Sequence, residues 1–289
     1  MYPASFGYSA PRSLKDACGL LQKHGEDAKV LAGGHSLIPA MKLRLTQPEL
    51  LVDLRHITEV KGIREHDEHL VIGALTTHTE ISDSEAVHRL LTGLADTASV
   101  IGDVQVRNRG TIGGSVAHAD PGADLPVTLT ALRASFVLVS STGERVVPAD
   151  DFFLDFFTTA LKPHEILTAV QIPIPPSPTR TSYFKLPHPA SGYVVVSAAA
   201  TLSVDESNTC NEARVVLGGV AETPHRALTI ERALAGQKLT REVTAAAAMR
   251  AVDNIDPPTD SYADGEYKRH MAVVYAQRAI EAAAKDELT

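Results

Sequence analysis

Only two of the 289 residues are cysteines, and none is tryptophan. Two thiols cannot supply the four thiolates of an iron–sulfur cluster, nor a cysteine-rich zinc site. Redox chemistry at such a metal centre is therefore expected in another chain. Basic residues are also scarce: 27 Lys and Arg stand against 35 Asp and Glu, a formal net charge of −8 and a pI near 5.8. No Lys/Arg block occurs, which argues against nucleic acid, because phosphate neutralisation needs clustered cations. Long apolar runs are missing as well. None reaches the roughly 18–20 residues of a transmembrane segment, and the start MYPASFGYSAPRSLKD lacks the apolar stretch of a signal peptide. A cytoplasmic protein is expected. The nucleotide fingerprints G-x-G-x-x-G and G-x-x-x-x-G-K-[ST] are absent, so Rossmann and P-loop sites lack their signatures. No G-x-S-x-G elbow or Ser-His-Asp grouping marks a hydrolase.

What remains is ample material for a core: 44% of the residues are hydrophobic, and the length suits two domains. Ser13 with Asp16 resembles a capping box for a helix ending near His24, before Gly25. KVLA, ELLVDL and LVIGALTT read as strands. Ser82 and Glu85 open one helix whose stripe is Val87, Leu90, Leu91, Leu94 and Ala98. ASFVLVSSTGERVVP reads as two strands around a Ser-Thr-Gly turn, and EILTAVQIPIPP as a strand ended by prolines. The prolines of 173–178 mark the domain boundary. Beyond them YVVVSAAATLSV and ARVVLGGVA read as strands, followed by helices at 228–235, 241–252 and 267–284. The class is α+β. Cys18 follows the helical spacing of Leu14, Ala17 and Leu21 and reads as a core residue, whereas Cys210 in DESNTCNEAR reads as a loop residue. His66 and His69 have H-x-x-H spacing but sit in the polar turn REHDEHL without a third ligand.

Two double-glycine segments stand out, AGGHSLIPAMKLRL (32–45) and TIGGSVAHADPGADLP (111–126). Glycine permits positive φ and lets backbone approach a ligand closely, and successive N–H groups in such a turn form an anion-binding nest. Two nests suit a diphosphate. His35, Ser36, Thr111 and Ser115 add donors, and Ile38 and Ile112 are candidates to cover a flat ring. A plain tight turn is the competing explanation for either pair alone. His118 with Asp120 borders the second pair and reads as loop architecture.

These two segments, with the late FKLPHPASGYVVVSAAA, resemble the FAD-binding medium subunit of the molybdenum hydroxylases, the family of carbon monoxide dehydrogenase, xanthine dehydrogenase and aldehyde oxidase. The resemblance covers essentially the whole chain. It implies a two-part FAD-binding domain of the vanillyl-alcohol oxidase (PCMH) type at 1–176, divided at about 55/56, and a smaller α+β C-terminal domain at 177–289. It further implies non-covalent FAD, with Ala32, Gly33, Gly34, His35, Ser36 and Leu37 in one diphosphate loop and Thr111, Gly113, Gly114 and Ser115 in the other. Asp124 matches a position holding the nucleotide part. Ile101 and Leu167 match positions lining the cofactor, Lys185 one near the polar edge of the isoalloxazine, and Tyr193 one beside the ring. Independently, a carboxylate such as Asp124 is better placed against hydroxyls or amides than against a diphosphate. Two departures stand out: Ser115 replaces an Asn of several members, and 187–192 replaces a charged run, which detaches the substrate from any one member.

The resemblance places the molybdenum–pterin cofactor in a large partner and two-iron two-sulfur clusters in a small one, and it implies a dimer of heterotrimers. Electrons would pass from those clusters through FAD to an external acceptor such as a quinone, NAD or oxygen. The alternatives are a self-contained FAD-dependent oxidoreductase, which would react alone, and an assembly module without reducible flavin.

Overall fold

The structure is a computed structural model in which residues 2–175 and 179–284 are described. The part of the expected boundary at 176–178 lies outside them. Three sheets follow one another along the chain. In the first, β1 (Gly7–Ser9), β2 (Ala28–Leu31) and β3 (Leu50–Asp53) run parallel in the order β1-β3-β2. Helix α1 (Leu14–His24) crosses from β1 to β2 and buries Ala17, Cys18 and Leu21 against β3. Ser13 caps it by accepting from the Asp16 N–H at 3.1 Å. The other half of the expected capping box does not form. The Asp16 side chain is one methylene shorter than Glu and takes the Ser13 hydroxyl at 2.7 Å. Gly25 ends the helix at φ 55°. The short α2 (Leu37–Lys42) follows β2.

The second sheet is antiparallel. Its strands are β4 (Ile63–His66), β5 (His69–Gly73), β6 (Ser135–Ser140), β7 (Gly143–Pro148) and β10 (Ile166–Pro173), in the order β4-β5-β10-β6-β7, while β8 (Phe153–Asp155) and β9 (Thr158–Thr159) form a small hairpin outside it. His66 and His69 face each other across the β4–β5 turn. The single helix expected from Ser82 is three: α3 (His78–Ser82), α4 (Glu85–Leu90) and α5 (Thr92–Ser99). Thr77 and Glu80 form a complete capping box ahead of α3, Ser84 rather than Ser82 caps α4, and Leu91 at φ −145°, ψ 58° breaks the run before α5. The apolar stripe survives the breaks, because Val87, Leu91, Leu94 and Ala98 are all buried on the sheet. Three more helices, α6 (Val104–Arg107), α7 (Ile112–His118) and α8 (Asp124–Ala131), and one turn of helix, α9 (Ala149–Phe152), complete this part.

The third sheet is built from β11 (Thr179–Pro187), β12 (Val194–Val204), β13 (Cys210–Gly218) and β14 (His225–Arg226), antiparallel in that order. Helices α10 (Leu228–Leu234), α11 (Arg241–Ala248) and α12 (Gly265–Ala283) pack with it. Strand β12 reads VVVSAAATLSV, nearly unbroken small apolar residues, because α12 covers one face and α8 the other. Val127 and Ala131 of α8 interlock with Tyr183, Ala199 and Val216. Cys210 is not a loop residue. It opens β13 fully buried, and burial with the Glu212 charge pushes its thiol up to about 11. The polar letters around it were misleading because one face of a strand end can be wet while the other is sealed. Among the described residues, no helix is long and apolar enough to cross a membrane.

Candidate functional site

The two glycine segments meet face to face. An added Cβ on Gly33 would lie 2.2 Å from the Arg109 carbonyl oxygen, and one on Gly114 would lie 4.0 Å from the Ala32 side chain. Gly34 adopts φ 79°, a left-handed turn that glycine takes without strain. Its turn swings the chain from β2 into α2, where Leu37 and Ile38 pack on Leu31, Met41 and Leu51. Among the described residues, none accepts a hydrogen bond from the N–H groups of Gly33, Gly34, His35, Ser36 and Leu37. These residues are half-buried, His35 exposed, and their N–H groups are left open to a group from outside the chain. The His35 ring folds back, Nδ1 being 3.2 Å from the Gly33 carbonyl oxygen.

The second glycine pair is not a turn. Thr111 caps α7, and Gly113 and Gly114 form its first turn. Their amides are already engaged: Ile112 donates to Thr76 at 3.0 Å, Gly113 to Ala74 at 2.9 Å and Gly114 to the Thr111 hydroxyl at 3.1 Å. Glycine is needed at 113 because a Cβ would meet the Ala74 Cβ at 2.4 Å. This segment therefore offers a close-packed wall and the Ser115 hydroxyl rather than a second nest. Ile112 is wholly buried in the core and cannot cover a ring. Leu167 is buried on β10, beside the bulge where the Thr168 carbonyl holds Ala74 at 2.9 Å. Ile101 is half-buried, and its carbonyl accepts from Arg107 at 3.0 Å.

Asp124, Lys185 and Tyr193 come together from different elements. Asp124, first residue of α8, accepts from the Lys185 ammonium at 2.8 Å and from the Tyr183 hydroxyl at 2.7 Å. Its contact with a hydroxyl follows the sequence argument, while the ammonium is an added partner. Burial pushes the Asp124 carboxyl above its ordinary range, the two donors opposing it. Lys185 also donates to the Gly192 carbonyl at 2.8 Å, which fixes the loop carrying Tyr193. Tyr193 is half-exposed over Gly122. Burial and the Asp120 charge push its phenol up, and the Ser36 hydroxyl opposes them. A chain of contacts thus runs from α8 through β11 to the first glycine segment. Tyr183 was missed in the sequence, although its position two before Lys185 on one strand puts both on one face. His118 packs against Phe157 with centroids 5.0 Å apart and the rings tilted by 54°, and its Nε2 lies 4.0 Å from the Asp120 carboxylate.

Residues 4–175 match the family model described as FAD binding domain in molybdopterin dehydrogenase, and residues 181–283 match that of the CO dehydrogenase flavoprotein C-terminal domain. The chain belongs to the FAD-binding medium-subunit family of the molybdenum hydroxylases. This medium subunit is 41% identical to the carbon monoxide dehydrogenase medium chain of Hydrogenophaga pseudoflava, covering 98% of each chain. It is 34% identical to the glyceraldehyde dehydrogenase medium chain of Sulfolobus acidocaldarius, covering 98% of this chain and all of the relative. Among solved structures, carbon monoxide dehydrogenase from Hydrogenophaga pseudoflava superposes with a TM-score of 0.94 at 42% identity, covering 98% of each chain. The two-part FAD-binding fold with a smaller α+β C-terminal part is that of the family, and the medium subunit is an oxidoreductase component.

Proposed function

We propose that the medium subunit binds FAD without a covalent bond and passes electrons from iron–sulfur clusters of a partner chain to an external acceptor. The observation that carries this reading is the row of unpaired amides at 33–37, facing a wall that glycine keeps thin. Unpaired N–H groups in succession carry the partial positive charge that suits a diphosphate. Ala32, Gly33, Gly34, His35, Ser36 and Leu37 would hold it from one side, and on the other Thr111, Gly113 and Gly114 would form the wall, with the Ser115 hydroxyl as the donor. Ile101 and Leu167 would support the wall. Tyr193, reaching toward Ser36, would cover the ring, and Asp124 with Lys185 would fix its polar edge. Because Lys185 already neutralises Asp124, the pair presents an oriented dipole rather than a free positive charge, so it orients a ring edge more than it draws electrons. Bound there, FAD supplies the conversion between single-electron carriers and two-electron acceptors.

The domain reading goes with this: 1–176 forms the cofactor-binding unit, in parts of about 1–55 and 56–176, and 177–289 the C-terminal unit. A large chain with the molybdenum–pterin cofactor and a small chain with two-iron two-sulfur clusters complete a dimer of heterotrimers in the cytoplasm. Relatives of differing substrate names at similar lengths support leaving substrate choice to the large chain. The test is purification from the native host with whatever co-purifies, then visible spectroscopy and metal analysis. Flavin bands together with molybdenum and iron in companion chains are expected. Flavin that a small donor reduces in this chain alone would overturn the electron-transfer assignment.

A further inference from the structure

His78 is buried, with 4% of its surface exposed, yet neither ring nitrogen has a partner among the described residues. Nδ1 is sealed from solvent as well as unpaired. Nε2 is not among the sealed atoms and lies against Gly110, 2.7 Å from where a Cβ of that glycine would stand. The His78 N–H holds the Gly110 carbonyl at 3.1 Å, and Gly110 with Arg109 forms the wall against which Gly33 packs. The ring is therefore packed at the junction of the two glycine segments. No partner can reach the sealed Nδ1, so Nε2 is the ring atom left open to a group from outside the chain. Burial, with the nearby positive charges of Arg107 and His35, lowers the imidazole to about 4, so the ring is neutral and carries one N–H. Placing that hydrogen on Nε2 leaves only a lone pair in the sealed position, the cheaper of the two arrangements.

We propose that His78 is a further binding residue, donating its Nε2–H to a phosphate oxygen of the nucleotide held by the amides of 33–37. The proposal rests on the FAD reading and adds to it a contact from α3 that neither glycine segment contains. A neutral imidazole suits the position: it donates to an anion without a buried charge of its own.

The experiment compares His78→Phe and His78→Gln in the assembled complex, stripped of flavin and titrated with FAD. Phenylalanine keeps a flat ring, slightly larger, and removes the donor, whereas glutamine keeps a donor. The FAD Kd is expected to rise about tenfold to a hundredfold in His78→Phe and to stay within a few-fold in His78→Gln. Competition by ADP should weaken in step, while competition by riboflavin, which has no phosphate, should not change. A ring that only fills space predicts the reverse order, phenylalanine tolerated and glutamine not, and that result overturns the proposal, as does unchanged affinity in both variants. Should neither variant assemble, an experimental structure of the flavin-loaded wild type decides: Nε2 within hydrogen-bond distance of a phosphate oxygen supports the contact, and a greater distance overturns it. A wild-type complex that takes up no FAD overturns the cofactor assignment and this contact with it, whereas uptake unaffected by His78→Phe overturns the contact alone.

Discussion

Gly33 shows how little room the candidate site leaves for change. Its absent side chain faces the Arg109 carbonyl at 2.2 Å, closer than any Cβ can approach, and that oxygen belongs to backbone fixed by its own hydrogen bonds. Gly33→Ala must part the two segments and should cost about 1–3 kcal/mol of stability, as overpacking does, with most of the bound flavin lost. Gly114→Ala meets the Thr111 hydroxyl at 3.0 Å, a side-chain oxygen that can give by a few tenths of an ångström at the expense of the α7 cap, and should lose less of both. Flavin-to-protein ratio and melting temperature measure the pair. A Gly33→Ala protein with wild-type values for both would remove the close-packed wall from the explanation. At this scale the sequence displayed the glycines but concealed their reasons. AGG and IGG look alike as strings, yet one is a nest and the other a helix start, and the difference depends on which carbonyls of Thr76 and Ala74 lie nearby.

Elements were legible where periodicity and caps agreed. Strands β6 and β7 around their turn, β10 before its prolines, and the C-terminal helices follow directly from residue spacing. The run from 82 to 99 misled because periodicity reports which side chains are buried and is insensitive to a break that preserves the buried face; Leu91 supplies such a break. Helix α12 offers a test at this scale. Its approach segment is tied by Asp260, which accepts from Tyr262 and Ala263 N–H groups at 2.8 and 2.9 Å and from the buried Lys268 ammonium at 2.7 Å. Partial burial alone would raise the Asp260 carboxyl, but these donors prevail and lower it from 3.8 to about 2. A lowered acid stabilises the folded state above its unfolded value, and that contribution disappears as pH falls through the folded one. The Asp260 contribution should therefore be complete above about pH 5 and lost between about pH 4 and pH 2. Asp260→Asn should cost only about 1 kcal/mol at pH 7, since the carboxylate is half-exposed and screened. It should cost nothing near pH 1.5. Unfolding curves of both proteins across that range should converge in acid, and a difference independent of pH would assign the effect to packing.

For the whole molecule, the decisive feature is how the C-terminal sheet is fastened to the cofactor-binding part, because the candidate site uses residues from both. Among the described residues three ion pairs cross this junction, one of them Arg214 with Asp150, and exposure separates the other two. Arg133 and Glu212 are 51% and 61% exposed in their side chains, whereas Lys185 and Asp124 are 7% and 5% exposed. Water screens the first pair, so Arg133→Ala should change stability by less than about 1 kcal/mol. The second has no water to return to. Lys185→Met strands the Asp124 carboxyl with Tyr183 as its remaining side-chain donor, and should destabilise by about 3–5 kcal/mol, the usual cost of breaking a buried pair by removing one partner. Replacing both, Asp124→Asn with Lys185→Met, removes the stranded charge and should recover part of that loss, giving a coupling that a cycle of denaturant-unfolding measurements reads directly. Spacing alone could not reveal this pair, since α8 and β11 lie about sixty residues apart and only the tertiary fold brings them to 2.8 Å. If the double variant is as unstable as the sum of the single ones, the carboxylate and ammonium act independently, and the junction is held by the packing of Val127, Ala131 and Val216 instead. If it recovers, the same contact that orders Gly192 and Tyr193 also fastens the two parts, and loss of stability and loss of flavin should appear together in Lys185→Met.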